Sequence, residues 1–197
     1  MGTMGWIAAV MAMGVLAWAV MTYNRLTVAR NRIANAFGQI DVQLKRRHDL
    51  VPNLVEVARG YMAHEAATLE AVIRARGAAS SAAQQARAKP ADAGAIGRLS
   101  QAESALGAQL GRLMVLGEAY PELKADAHML RLGEEITSTE NRIGFARQAY
   151  NDQVLEFNDA ASQFPAVLLA RSLGFAEAAM LESTASAAER AVPQVRF

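Results

Sequence analysis

Three histidines, His48, His64 and His128, are the first residues to weigh for chemistry, and their spacing predicts no metal site. His64-Glu65 opens like a zinc-peptidase helix. That motif needs a second histidine one turn on, and Thr68 stands in its place. The chain has no cysteine, which excludes thiolate ligands, a cysteine nucleophile and disulfides. There is no Walker-type glycine-rich phosphate loop, no Ser-His-Asp order and no paired-carboxylate motif, and Glu134-Glu135 fits a solvated helix face. The expectation is a protein that is not an enzyme and takes no cofactor.

Arg47 is a different kind of candidate. It lies three residues after Leu44 and four before Val51, on the apolar stripe of a helix. A buried guanidinium needs a carboxylate or several acceptors, because an unpaired buried charge is very costly. Glu140 and Asn141 flank Thr139, a core position on a later helix. An internal polar cluster of Arg47, Glu140 and Asn141, with Asp41 as a further member, would fix helix register. Lys45, Arg46, Arg47 and His48 also form a basic run. It reads either as a solvated face or as a surface for an acidic partner or second subunit. With a net charge of +1, nucleic acid is not an expected partner.

The elements that position these residues begin with a membrane anchor. No charged residue precedes Arg25, and residues 6–21 are almost wholly apolar, including Trp6, Ile7, Val10, Val15, Leu16, Trp18 and Val20. At about 1.5 Å per residue, a helix over 1–24 is long enough for a hydrocarbon core of about 30 Å. Ala17-Trp18-Ala19 mimics a signal-peptidase site. No basic residue precedes the apolar stretch, however, and the helical pattern continues past it, so a retained anchor is expected. Arg25, Arg30 and Arg32 follow directly, before any acidic residue. The positive-inside rule then puts the N-terminus outside the inner membrane and the rest in the cytoplasm. The same arginines can sit near anionic headgroups.

Beyond the anchor the chain is rich in alanine, holds only five prolines and lacks strand-like alternation. The fold class is all-α: an N-terminal transmembrane helix, then an antiparallel up-and-down four-helix bundle of long helices over 25–164. The first helix carries Leu26, Ile33, Phe37, Ile40, Leu44, Val51, Leu54, Ala58 and Tyr61 on one face. Pro52 inside it predicts a kink or break at 49–52. A second helix runs over about 64–87 to the connector Lys89-Pro90-Ala91-Asp92, and a third carries Ile96, Leu99, Ala102, Leu106, Leu110 and Leu113. Its repeated Gly94, Gly97, Gly107 and Gly111 point either to close backbone approach or to plain tolerance. The fourth helix has a coiled-coil-like seam from Met129 to Phe164 and stops at Pro165.

Residues 25–59 hold seven basic and three acidic residues, and 122–159 hold four basic and eight acidic. That opposition favours pairing of the first and last helices. Residues 165–181 form a short apolar segment in which Val167, Leu168, Leu169, Leu173 and Phe175 could be core, a self-association contact or a membrane-interface element. Residues 182–197 are expected to be a mobile tail.

The run Ile40-Asp41-Val42-Gln43-Leu44-Lys45-Arg46-Arg47-His48-Asp49-Leu50-Val51-Pro52-Asn53-Leu54-Val55 closely resembles the LemA family. So do Tyr23-Asn24-Arg25-Leu26, Gly60-Tyr61, Ala119-Tyr120-Pro121-Glu122-Leu123-Lys124, Thr139-Glu140-Asn141-Arg142-Ile143, Tyr150-Asn151 and Phe164-Pro165. The resemblance implies one N-terminal anchor and a helical-bundle domain. It imports no enzymatic activity, and some relatives are tied to bacterial membrane remodelling or organelle biogenesis. The expected function is a non-enzymatic homo-oligomeric scaffold on the bacterial inner membrane, with the lipid bilayer as its first partner. The alternative is an adaptor presenting a helical surface to another membrane protein, such as a protease.

Overall fold

The computed structural model describes residues 2–182; the expected mobile tail from residue 183 onward lies outside the described residues. All regular structure there is helical: α1 (Thr3–Tyr61), α2 (Ala66–Ala88), α3 (Ala93–Gly117), α4 (Pro121–Ala125), α5 (Ala127–Ser162) and α6 (Ala166–Ser172). A single 3-10 turn over Ala63–Glu65 joins α1 to α2. The first helix is one rod of 59 residues, about 88 Å long at 1.5 Å per residue. No described residue before Leu26 is buried, and the apolar stretch projects alone from one end of the fold. It is long and apolar enough to cross a membrane.

From Leu26 onward α1 packs against α5 and α2, and α3 packs in turn on α2. Leu26, Ile33, Phe37, Ile40, Leu44, Val51, Leu54 and Ala58 are buried, as their spacing requires. Tyr61 departs from that stripe: it is half-exposed, and Met62 fills the core instead. Helix α5 runs opposite to α1 along its full length. Tyr61 bonds Asp126, Arg46 faces Glu135 at 3.7 Å, Phe37 meets Tyr150, and Arg32 pairs with Glu156 at 2.9 Å. Residue numbers fall along α1 as they rise along α5, so the two helices are antiparallel. The opposed charges noted in the sequence therefore meet, in exposed pairs that contribute under about 1 kcal/mol each. The apolar cores of both helices do most of the holding.

Pro52 does not break α1, which runs on for nine further residues. Proline has no N–H to give the carbonyl of His48, one turn back. Arg76 Nε of α2 donates to that oxygen instead, at 2.9 Å. A side chain from the neighbouring helix thus replaces the missing ladder bond, and α2 is tied to α1 at the same point.

Two further differences have local causes. A short helix, α4, precedes the predicted fourth helix, α5, and the two are separate because the Asp126 carboxylate accepts from the His128 and Met129 N–H groups and caps a new start. Of the repeated α3 glycines, a Cβ on Gly94 would meet the Arg98 and Asp92 side chains at 3.3 and 3.4 Å and one on Gly107 would touch Arg47 Nη2 at 3.5 Å, whereas Gly97 and Gly111 have no described neighbour within 4 Å; the neighbours are side chains, not the backbone of another helix.

Candidate functional site

Arg47, His48 and Glu103 form the most buried polar group among the described residues, at 2%, 4% and 3% exposure. Their carboxylate comes from α3, where Glu103 occupies the apolar stripe between Leu99 and Leu106. His48 Nε2 donates to Glu103 Oε1 at 2.7 Å, and Arg47 Nη1 lies 3.6 Å from Glu103 Oε2. Gly107, one turn beyond Glu103, leaves room for the guanidinium. Among the described residues, Arg47 Nε has no hydrogen-bond partner. The pair is therefore imperfect in geometry and buried, which makes it costly to break and poor as a net stabiliser. It fixes the height of α3 against α1.

This corrects the expected membership. Arg47 is buried and paired, but Glu140 and Asn141 are exposed on α5 and take no part. Asp41 faces α2 instead, where it accepts from Arg87 at 2.8 Å. That contact raises the Arg87 pKa further above its ordinary value. His48 also leaves the expected interaction surface, because it is buried against Glu103. Lys45 and Arg46 remain exposed. Between α1 and α2, Asp41, Lys45, Asp49, Arg76 and Arg87 line a shallow cleft of about 250 Å³. Its carboxylates are engaged, Asp41 with Arg87 and Asp49 with Arg76 at 3.9 Å.

The C-terminal segment forms a second constellation, which the sequence did not disclose. After α6 and Gly174 (φ 74°), the chain turns back and runs extended over 175–182 along α5. Two asparagines seven residues apart hold it. Asn158 accepts from the Ala178 N–H and donates to its carbonyl, both at 2.9 Å. Asn151 does the same to Leu181, at 2.9 and 3.1 Å. Each side-chain amide imitates a strand partner, with one donor and one acceptor. The Tyr150 hydroxyl lies 2.8 Å from the carbonyls of both Pro90 and Ala179. It thereby joins the strap to the α2–α3 connector, and burial pushes its pKa up. Ala178 and Leu181 sink into the core beside Phe37, Ile96 and Leu99.

The strap begins at the end of the fold where the apolar rod emerges. The Phe175 ring stacks edge-on to Tyr23 at 5.7 Å and lies 6.4 Å from Phe157. Ala170 of α6 packs with Leu26 and Ala160. Of the other residues expected to form an interaction surface, Val167 and Leu169 are half-buried, and Leu168 and Leu173 are exposed. Trp6, Ile7, Val10, Val15, Leu16, Trp18 and Val20 are exposed along the projecting rod. Arg25 and Arg30 are exposed just below it, and Arg32 pairs with Glu156.

Comparison with known proteins gives two findings. Residues 36–197 match the family model described as the LemA family. That match begins ten residues into the packed part of α1 and takes in everything after that point, but not the projecting rod. The magnetosome protein MamQ of Magnetospirillum gryphiswaldense is 25% identical over 171 residues, covering 79% of this chain and 63% of that protein. The chain thus spans less than two thirds of the length of the curated relative it matches.

Proposed function

This chain belongs to the LemA family, and we propose that it is a non-enzymatic scaffold, anchored in the bacterial inner membrane and self-assembling there. One observation carries the proposal. The exposed apolar rod and the central core helix are the same unbroken helix, so any assembly of the domain is transmitted to the bilayer without a flexible joint. On this reading residues 1–24 are the anchor, 25–164 form an antiparallel four-helix bundle, and Arg25, Arg30 and Arg32 hold the domain on the cytoplasmic side. The similarity to a magnetosome protein supports a role in membrane organisation or remodelling.

Self-association needs a surface, and the α1–α5 seam offers one. Phe145 of α5 is 75% exposed, and Val42 of α1 is 61% exposed. The absence of native cysteine permits a clean test. F145C and V42C in the full-length protein, treated in membranes with a short bis-maleimide, are expected to give covalent dimers. Failure at both positions would remove this seam from the proposal.

A second reading, an adaptor for another membrane protein such as a protease, draws on an open groove of about 640 Å³ at the far end of the fold. Met114, Leu123, Met129, Leu130 and Gly133 line it. Cross-linking from L130C that captures a different membrane protein, with none between copies at Phe145, would favour the adaptor.

A further inference from the structure

We propose that α6 and its flanks are a second membrane contact: Phe164, Leu168 and Leu173 enter the headgroup layer of the same bilayer that α1 crosses. The inference rests on the anchored reading above, and it starts from depth. If the hydrocarbon ends near Met21, then Tyr23 lies about 3 Å and Leu26 about 7 Å beyond it along the helix. The headgroup layer on each side is about 5–7 Å thick. Phe175 packs on Tyr23, and Ala170 of α6 packs on Leu26. These contacts set α6 at the depth of the headgroups.

The exposed side chains suit that depth. Phe164 is 81% exposed, Leu168 66% and Leu173 48%, an apolar group far too open for a folded core. Phe164 stands just past the end of α5, whose Ala160 packs with Leu26, at the end of the fold where the rod emerges, and Tyr23 there is itself half in solvent. Aromatic rings gather at this boundary, where one face meets chains and the other meets water. Arg25 and Arg171 are exposed beside the patch, and neither forms an ion pair among the described residues. Acidic residues are present too, Asp159 on α5 and Glu177 on the strap, so apolar insertion leads and charge assists.

The occupant is therefore the lipid surface, because the patch is continuous with the anchor's exit from the bilayer. A second copy of the chain would need the same patch away from lipid. The consequence is mechanical: with two contacts, the long rod is held at a fixed tilt, and the strap that follows α6 links membrane contact to the core at Asn158 and Asn151.

The test uses the full-length protein in vesicles of phosphatidylcholine and phosphatidylglycerol. V10C, L168C and E134C each carry an environment-sensitive fluorophore, with nitroxide lipids as membrane quenchers and iodide as the aqueous quencher. The expected result is strong quenching at residue 10 by deep nitroxides, clear quenching at residue 168 by shallow nitroxides, and none at residue 134. Lipid quenching at 10 but not at 168, with 168 open to iodide, would overturn the α6 contact and leave the anchor intact. A residue 168 shielded from both quenchers would overturn it in favour of a protein partner. No lipid quenching at residue 10 would defeat the anchored reading itself, and the α6 contact with it.

Discussion

Replacing Glu103 with glutamine should destabilise the domain far more than the loss of one surface charge would. E103Q keeps the volume and a hydrogen bond to His48, but it leaves the Arg47 guanidinium, 2% exposed, with no counter-charge. Removing one partner of a buried ion pair costs about 3–5 kcal/mol. The 3.6 Å separation and the unbonded Arg47 Nε place this pair at the lower end, about 3 kcal/mol. That is roughly a 150-fold fall in the folded-to-unfolded ratio. It corresponds to about 6–12 °C in Tm for a domain of this size. R47M leaves Glu103 its His48 partner, so the expected cost is about 1–2 kcal/mol. The double variant R47M/E103Q removes both charges and keeps the His48 contact, so it should lie within about 1 kcal/mol of the parent. Urea unfolding of the four full-length proteins in detergent, followed by helical circular dichroism, measures the cycle. Additive effects in the double variant would refute the pairing, as would an E103Q protein within about 0.5 kcal/mol of the parent.

The strap, the proline site and the α5 cap each carry a further expectation. N151A and N158A each remove two backbone contacts from the strap. Each should cost about 1–3 kcal/mol and speed amide exchange at Leu181 or Ala178 while α1 amides stay protected. R76A leaves the His48 carbonyl without its donor and should cost about 1–2 kcal/mol. In a P52A background, which restores the ladder bond, chemical denaturation should show most of that cost gone. Asp126 is held below the ordinary carboxylate range, chiefly by the Met129 N–H and also by the Tyr61 hydroxyl and His128 N–H. Its contribution is therefore present above the ordinary carboxylate pKa and lost as pH falls through the lowered native value. Thermal melts across the acid range should flatten in D126N.

The long elements were legible because burial repeats with the helical period. The stripes of α1 and α5 named most of the core, and the charge opposition named the pair that meets. Arg47 was legible for the same reason, as a charge on an apolar stripe. Its partner was equally visible in kind, since Glu103 interrupts Leu99, Leu106 and Leu110 at core spacing. Choosing between Glu103 and Glu140 required knowing which helix lies beside His48, and one-dimensional periodicity does not carry that. The continuity of α1 through Pro52 depended on a donor 24 residues away in sequence, at Arg76. The strap has neither period, because two asparagine side chains and a tyrosine hydroxyl hold it in place of a backbone ladder.

The measurement that bears most directly on the proposed function is the mass and shape of the full-length protein, extracted with its native lipid and imaged as single particles. Closed particles of one defined subunit number, with the apolar rods together in a lipid patch, are the expected result. Monomers dispersed singly in lipid, at every protein density tried, would contradict a self-assembling scaffold.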